Sequence, residues 1–151
     1  MGLVPKFSKD EMNKLIAEKV ARIELAILLR LQRIGEQFIT DARLNGTYKD
    51  RTGNLRSSIG YVVLKNGEQY ENAGGGFVQV KTGQKGTGVG KQILDEAMLK
   101  FPKGYVLIVV AGMDYAAAVE SKGRDVLTGS SRAAVVSLTQ AIKRINDKTA
   151  E

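Results

Sequence analysis

Apolar residues recur at steps of three or four along the first third of the chain: Met12, Ile16, Val20, Ile23, Ile27, Leu31, Ile34, Phe38 and Ala42. That period places them in one stripe on one α-helix. Just ahead, Ser8-Lys-Asp-Glu11 carries a serine followed three residues later by a glutamate, the capping-box signature of a helix start. Asn45-Gly46, both tolerant of the left-handed conformation, supply the predicted stop. A helix over about 9–44 is roughly 50 Å long at its standard rise. A compact domain of this size is only about 38 Å across, so the helix must kink or overhang. Leu25, Leu28 and Leu29 sit off the main stripe. They make either a second face that packs on another subunit or part of a kinked helix enclosed at home.

After Gly46 the period changes. Asp50-Arg-Thr-Gly-Asn-Leu-Arg-Ser-Ser-Ile59 offers Asp50 or Thr52 as the cap of a short helical turn. Tyr61–Lys65 reads as a strand, Asn66-Gly67 as a tight turn, and Phe77–Lys81 as a second strand. The stretch Asn72-Ala-Gly-Gly-Gly76 between them is too glycine-rich to read as regular. Residues 82–90 read as a glycine-rich loop, and Lys91–Phe101 as a helix ended by Pro102. Tyr105-Val-Leu-Ile-Val-Val-Ala111 is a continuous apolar run and the best candidate for a central strand covered on both faces. Asp114–Glu120 reads as a short helix capped by Asp114. A final helix over about 131–147, capped by Ser130 or Ser131, carries Val135, Leu138, Ala141, Ile142 and Ile145 on one face. The pattern predicts an α+β fold: a small, mainly antiparallel sheet at about residues 59–112, packed by the long N-terminal helix and the C-terminal helix.

At 151 residues the chain is expected to form a single domain over 1–151. The greasiest run, Ile23–Leu31, contains Glu24 and Arg30, so no membrane contact is expected. Met-Gly-Leu-Val-Pro-Lys at the start lacks the charged-then-apolar order of a secretion signal, so the protein is expected to stay where it is made. With no cysteine and no histidine, thiolate chemistry and the commonest metal ligand are missing, which removes many enzyme classes. Lys and Arg number 23 against 16 Asp and Glu, a net charge of +7 that favours polyanions. A basic nucleic-acid-binding module acting through charge is therefore the alternative reading. A solvated basic surface is the plain one.

Two stretches suggest chemistry and fail on spacing. Lys81–Gln92 holds a Gly90-Lys91 pair like a phosphate-binding loop, but the motif demands glycine where Lys85 stands and a hydroxyl where Gln92 stands. A mobile arm containing Lys85, Gly86, Gly88 and Gly90 fits better. Asp114 with Glu120 and Lys122 has the residue types of a magnesium-dependent nuclease, yet the helix-favouring alanines between them put the carboxylates on different faces. No catalytic residue, cofactor or metal is expected. Tyr61, Tyr70, Tyr105 and Tyr115 are expected to be half-buried packing residues rather than base-stacking platforms.

Arg51-Thr-Gly-Asn-Leu-Arg-Ser-Ser-Ile59 before a strand and Gly112-Met-Asp-Tyr-Ala-Ala-Ala-Val-Glu120 after one carry a resemblance. In order and spacing they resemble the neck and tail-completion proteins of tailed phages, the HK97-type gene-product-ten family. Thr52, Gly53, Leu55, Arg56, Ser58 and Ile59 fall on the first family motif, and Tyr115, Ala116, Val119 and Glu120 on the second. Thr52 suits a cap, Gly53 a tight turn, and Leu55 with Ile59 and Tyr115 with Val119 are apolar pairs four apart. After Glu120 the chain departs from the family pattern, reading Ser121-Lys-Gly-Arg-Asp-Val-Leu-Thr128 in place of an aromatic, Gly-Thr and a proline-rich approach. The resemblance implies a non-enzymatic virion protein, assembled in the host cytoplasm. It would form a homo-oligomeric ring of six or twelve between portal, connector and tail proteins, around the DNA channel.

Overall fold

The computed structural model describes residues 6–149. The first five residues, on which the secretion-signal reading rests, lie outside them. The elements run α1 (Lys9–Leu44), α2 (Asn54–Ser57), β1 (Ile59–Lys65), β2 (Glu68–Gly76), α3 (Gln84–Met98), β3 (Tyr105–Ala111), α4 (Ala116–Ser121) and α5 (Thr128–Thr149). Three strands form an antiparallel sheet in the order β2-β1-β3, and with the long N-terminal and C-terminal helices the fold is α+β.

The capping box forms as its residues predict. The Glu11 N–H donates to Ser8 Oγ (3.2 Å), and the Ser8 N–H to Glu11 Oε2 (2.8 Å). α1 then continues for 36 residues without a break. Its end differs from the expectation, because Asn45 is right-handed and donates its N–H to Asp41 O, so no left-handed stop is used. Gly46 serves instead to clear space, since a Cβ there would lie 2.4 Å from the Tyr48 ring.

The central strand is β1, not the apolar run Tyr105–Ala111, which forms the β3 edge. Six of the seven β1 residues are buried, because neighbours pair on both sides and helices cover both faces. Tyr61 and Val63 face α1 with Leu28 and Leu31, while Val62 and Leu64 meet Leu94 of α3. The alternation is the ordinary period of two. Gly35 of α1 leaves room for the Tyr61 ring, which would lie 2.3 Å from a Cβ at that position.

The hairpin turn falls at Asn66-Gly67, where φ is 53° and 86°, as the dipeptide predicts. Its second strand is displaced from the predicted position. The glycine-rich stretch is β2 itself: Gly74, Gly75 and Gly76 pair with Val62, Tyr61 and Gly60. Gly76, at φ 92°, lies so close to β1 that a Cβ would come within 2.5 Å of Gly60 Cα. Phe77–Lys81 is not a strand, because Phe77 and Lys81 both have positive φ and the Val80 N–H is taken by Ser57 Oγ at 2.8 Å. The Phe77 ring occupies the space left by Gly60.

α5 runs antiparallel along α1, with Ser130, Ala133 and Ala134 near Phe38 and Asp41, and Ile145 and Lys148 near Leu15 and Arg22. It starts three residues before the predicted boundary. Of its predicted apolar face Ala141 is buried, Leu138 and Ile145 are half-buried, and Val135 and Ile142 are exposed.

Candidate functional site

The two segments that carry the resemblance come together. α2 begins after Gly53, which has a φ of 83° and lies so close to the next loop that a Cβ would fall 1.9 Å from Val80 O, leaving no room for a side chain. Both candidates accept N–H groups at the turn, Asp50 with the shorter bonds: its Oδ1 accepts from the Gly53 N–H (2.8 Å) and its Oδ2 from the Arg56 N–H (2.9 Å), while Thr52 Oγ1 accepts from the Asn54 N–H (3.4 Å). Asp50 is buried, and two N–H donors meet the requirement that a buried carboxylate be hydrogen-bonded. Lys81 Nζ donates to the Asp50 carbonyl at 2.7 Å. Arg56 lies over the Tyr48 ring, 5.3 Å from its centre, a cation–π arrangement.

Ser58 joins the first segment to the second. Its hydroxyl donates to Leu55 O (2.8 Å) and accepts from the Gly112 N–H (3.1 Å). Leu55, Tyr48 and Val126 form a buried cluster against Ala116 and Val119 of α4. Ile59 belongs to a neighbouring cluster with Phe38 and Ala42. Tyr115 stays partly exposed, and burial of the rest of its ring pushes its hydroxyl pKa up. Asp114 does not cap α4, since Tyr115 occupies that position without a side-chain hydrogen bond.

Glu120 reaches across the loop to α5. Its Oε1 accepts from the N–H groups of Leu127 (2.7 Å), Thr128 (3.0 Å) and Val126 (3.3 Å), and from the Thr128 hydroxyl (3.1 Å). These donors, the Leu127 N–H above all, hold its carboxyl below the usual range. Glu120 therefore caps α5 in place of the predicted Ser130 or Ser131, and the loop 121–127 is folded around that cap. The carboxylate is committed to the start of a helix, where negative charge is favoured.

The glycine-rich arm is also part of this knot, which corrects the prediction of a mobile loop over 82–90. α3 starts at Gln84, so Lys85, Gly86, Gly88 and Gly90 are all helical. Gly83, Gly86 and Gly90, spaced three and four apart, form the stripe by which this segment lies on α2. Cβ atoms there would come within 2.3 Å of Ser57 Oγ, 2.0 Å of Asn54 O and 2.5 Å of Ser58 O. The Gly86 N–H donates to Asn54 Oδ1 at 3.1 Å. Gly88 faces open space and Lys85 is exposed. The glycine spacing was a helix-face signal present in the sequence, masked by the low helix propensity of glycine.

The predicted subunit face divides. Leu28 is 3% exposed and belongs to the core, so it is removed from that face, whereas Leu25 and Leu29 remain 48% and 52% exposed. A larger apolar surface lies nearer the start of α1, where Met12, Leu15, Ile16 and Val20 are all about half exposed. At the edge of the sheet, Glu24 accepts from Lys65 Nζ (3.0 Å) and from the Tyr105 hydroxyl. The Tyr105 bond first, then Lys65, lowers the Glu24 pKa. The tyrosines do not form one stacking surface: Tyr61 is buried, its hydroxyl pushed up to about 12 by burial and by Glu36, and Tyr70 packs against the α1 side of the core.

Comparison of the chain with protein-family models, with curated proteins and with solved structures finds no match.

Proposed function

We propose that the protein is a non-enzymatic structural component of a phage virion, a neck or tail-completion protein that assembles as a ring around the DNA channel. The observation that carries this reading is the unshielded stripe on the N-terminal half of α1. Met12, Ile16 and Val20 continue the stripe that further along packs on the sheet, Leu15 stands beside it near the end of α5, and all four keep about half or more of their surface exposed. Together they expose on the order of 400 Å² of apolar surface, as much as the largest patch on a typical monomer and often a contact site. A ring closes through head-to-tail contacts between two different faces. The outer edge of β3 supports a second face: seven uncharged residues with no bulge in their pairing to β1. β2 carries Glu68, Glu71, a register shift and positive-φ residues that discourage strand addition. The partners on this reading are further copies of the chain and the portal, connector or tail proteins above and below the ring.

Negative-stain microscopy and native mass spectrometry of the full chain test it. Rings of one size are the expected result, and a Leu15→Glu/Ile16→Glu variant should remain folded by circular dichroism but lose them. A monodisperse monomer at high concentration by light scattering would sink the reading.

A further inference from the structure

The trough between α1 and α5 gathers cations that nothing in the described chain neutralises. Arg30 and Arg33, one turn apart on α1, and Arg144 on α5 line a stretch of about 230 Å³. All three are exposed, and among the described residues none makes a hydrogen bond or ion pair within the chain. No acidic residue lines this stretch; the other polar groups there are Gln37, Ser137 and Gln140. Towards the start of α1 the trough continues past Lys19, Arg22 and Lys148, where Glu18 is the one lining carboxylate among the described residues, and at its opposite, narrow end Asp41 lines it beside Phe38.

Three guanidinium groups around one opening repel each other, and an anion placed among them relieves that repulsion. Arginine's planar fork suits phosphate oxygens, which it can grip with two parallel hydrogen bonds. The amides and hydroxyl beside the arginines are neutral groups of the kind that also contact a sugar-phosphate backbone. A protein partner would call for aromatic or apolar anchors at the centre of the contact, and Arg30, Arg33 and Arg144 surround none larger than Ile34. From Lys19 to Arg33 the basic track follows α1 for about 20 Å, the length of about six base pairs of duplex.

We propose that the α1–α5 trough binds the phosphate backbone of double-stranded DNA, with Arg30, Arg33 and Arg144 as its principal contacts. The proposal rests on the ring reading only for where the DNA is met, in the channel; binding itself follows from the single chain.

Fluorescence anisotropy of a labelled mixed-sequence duplex, titrated with the full chain at several salt concentrations, tests it. Affinity should fall steeply with salt. The triple variant Arg30→Gln/Arg33→Gln/Arg144→Gln should bind about tenfold more weakly or worse, and its log–log salt slope should be shallower by about 2 to 3. A control with the same charge change on the other side of the sheet, Lys85→Gln/Lys91→Gln/Lys103→Gln, should keep both values close to those of the unaltered chain. Equal losses in the two variants would mean diffuse surface charge and overturn the proposal, as would absence of duplex binding or selective binding of an acidic peptide. Rings without duplex binding would defeat this inference alone. Salt-dependent binding at the trough by a protein that forms no rings would defeat the assembly reading alone.

Discussion

The knot around α2 and the N-terminal half of α1 treat their side chains in opposite ways. In the knot, Asp50, Ser57, Ser58 and Glu120 all find partners within the chain, and three glycines let backbones meet at contact distance. On α1 before Arg22, apolar side chains stand in solvent beside a row of basic ones. These polar groups of the knot are therefore engaged within the chain, although the Tyr48 hydroxyl and Arg56 Nε are buried without a hydrogen-bond partner and Thr52 and Tyr115 stay exposed. The helix is where contact surface is left over. Function on this view resides in what the fold leaves unsatisfied.

The comparison breaks most sharply at the glycine stripe. Gly86→Ala would drive a methyl into Asn54 O, and the stability loss should be on the order of 3 kcal/mol by chemical denaturation, since neither backbone yields easily. A loss under about 1 kcal/mol would mean that the α2–α3 contact is loose. Next come the two halves of α1. Leu31→Ala, in the core, should cost about 3 kcal/mol, whereas Ile16→Ala should stay within about 0.5 kcal/mol in the isolated chain. Similar values for the two would erase the distinction between buried and surplus stripe.

Glu120→Gln tests the polar side of the knot. It should destabilise by about 1 kcal/mol at neutral pH, the worth of a helix cap. Because the folded-state pKa of Glu120 is lowered, its contribution is present above the unfolded-state value and is lost as pH falls through the folded one. Melting curves of the unaltered chain and the variant should thus converge in acid and separate towards pH 7. The smallest effect is Gly88→Ala, a glycine of α3 with open space around it. Replacing it should stabilise by about 0.5 to 1 kcal/mol, and a loss would show that Gly88 has a neighbour after all.

The resemblance located residues that do meet, but for several of them the sequence suggested a different task. Leu55, Ala116 and Val119 share one cluster. Nothing in the sequence marked Glu120 as a helix cap, because its donors, Val126 to Thr128, lie across a loop whose path no periodicity records. Asp50 and Thr52 were equal candidates for the cap; both accept backbone N–H groups, and Asp50 takes the larger share through Gly53 and Arg56. The basic trough was invisible as a site, because Arg30 and Arg33 are far in sequence from Arg144 and meet it only when α5 folds back along α1.

Local chemistry determined what depended on neighbours within one turn or one hairpin: the capping box at Ser8, the length of α1, the Asn66-Gly67 turn and the presence of a C-terminal helix. Tertiary structure decided which strand became central, because β1 and β3 are both apolar and only pairing partners and helix cover separate them. It also made the glycine-rich stretches a strand and a helix. Glycine's own preference opposes both, and close backbone packing, which only a residue without a side chain permits, outweighs that preference here.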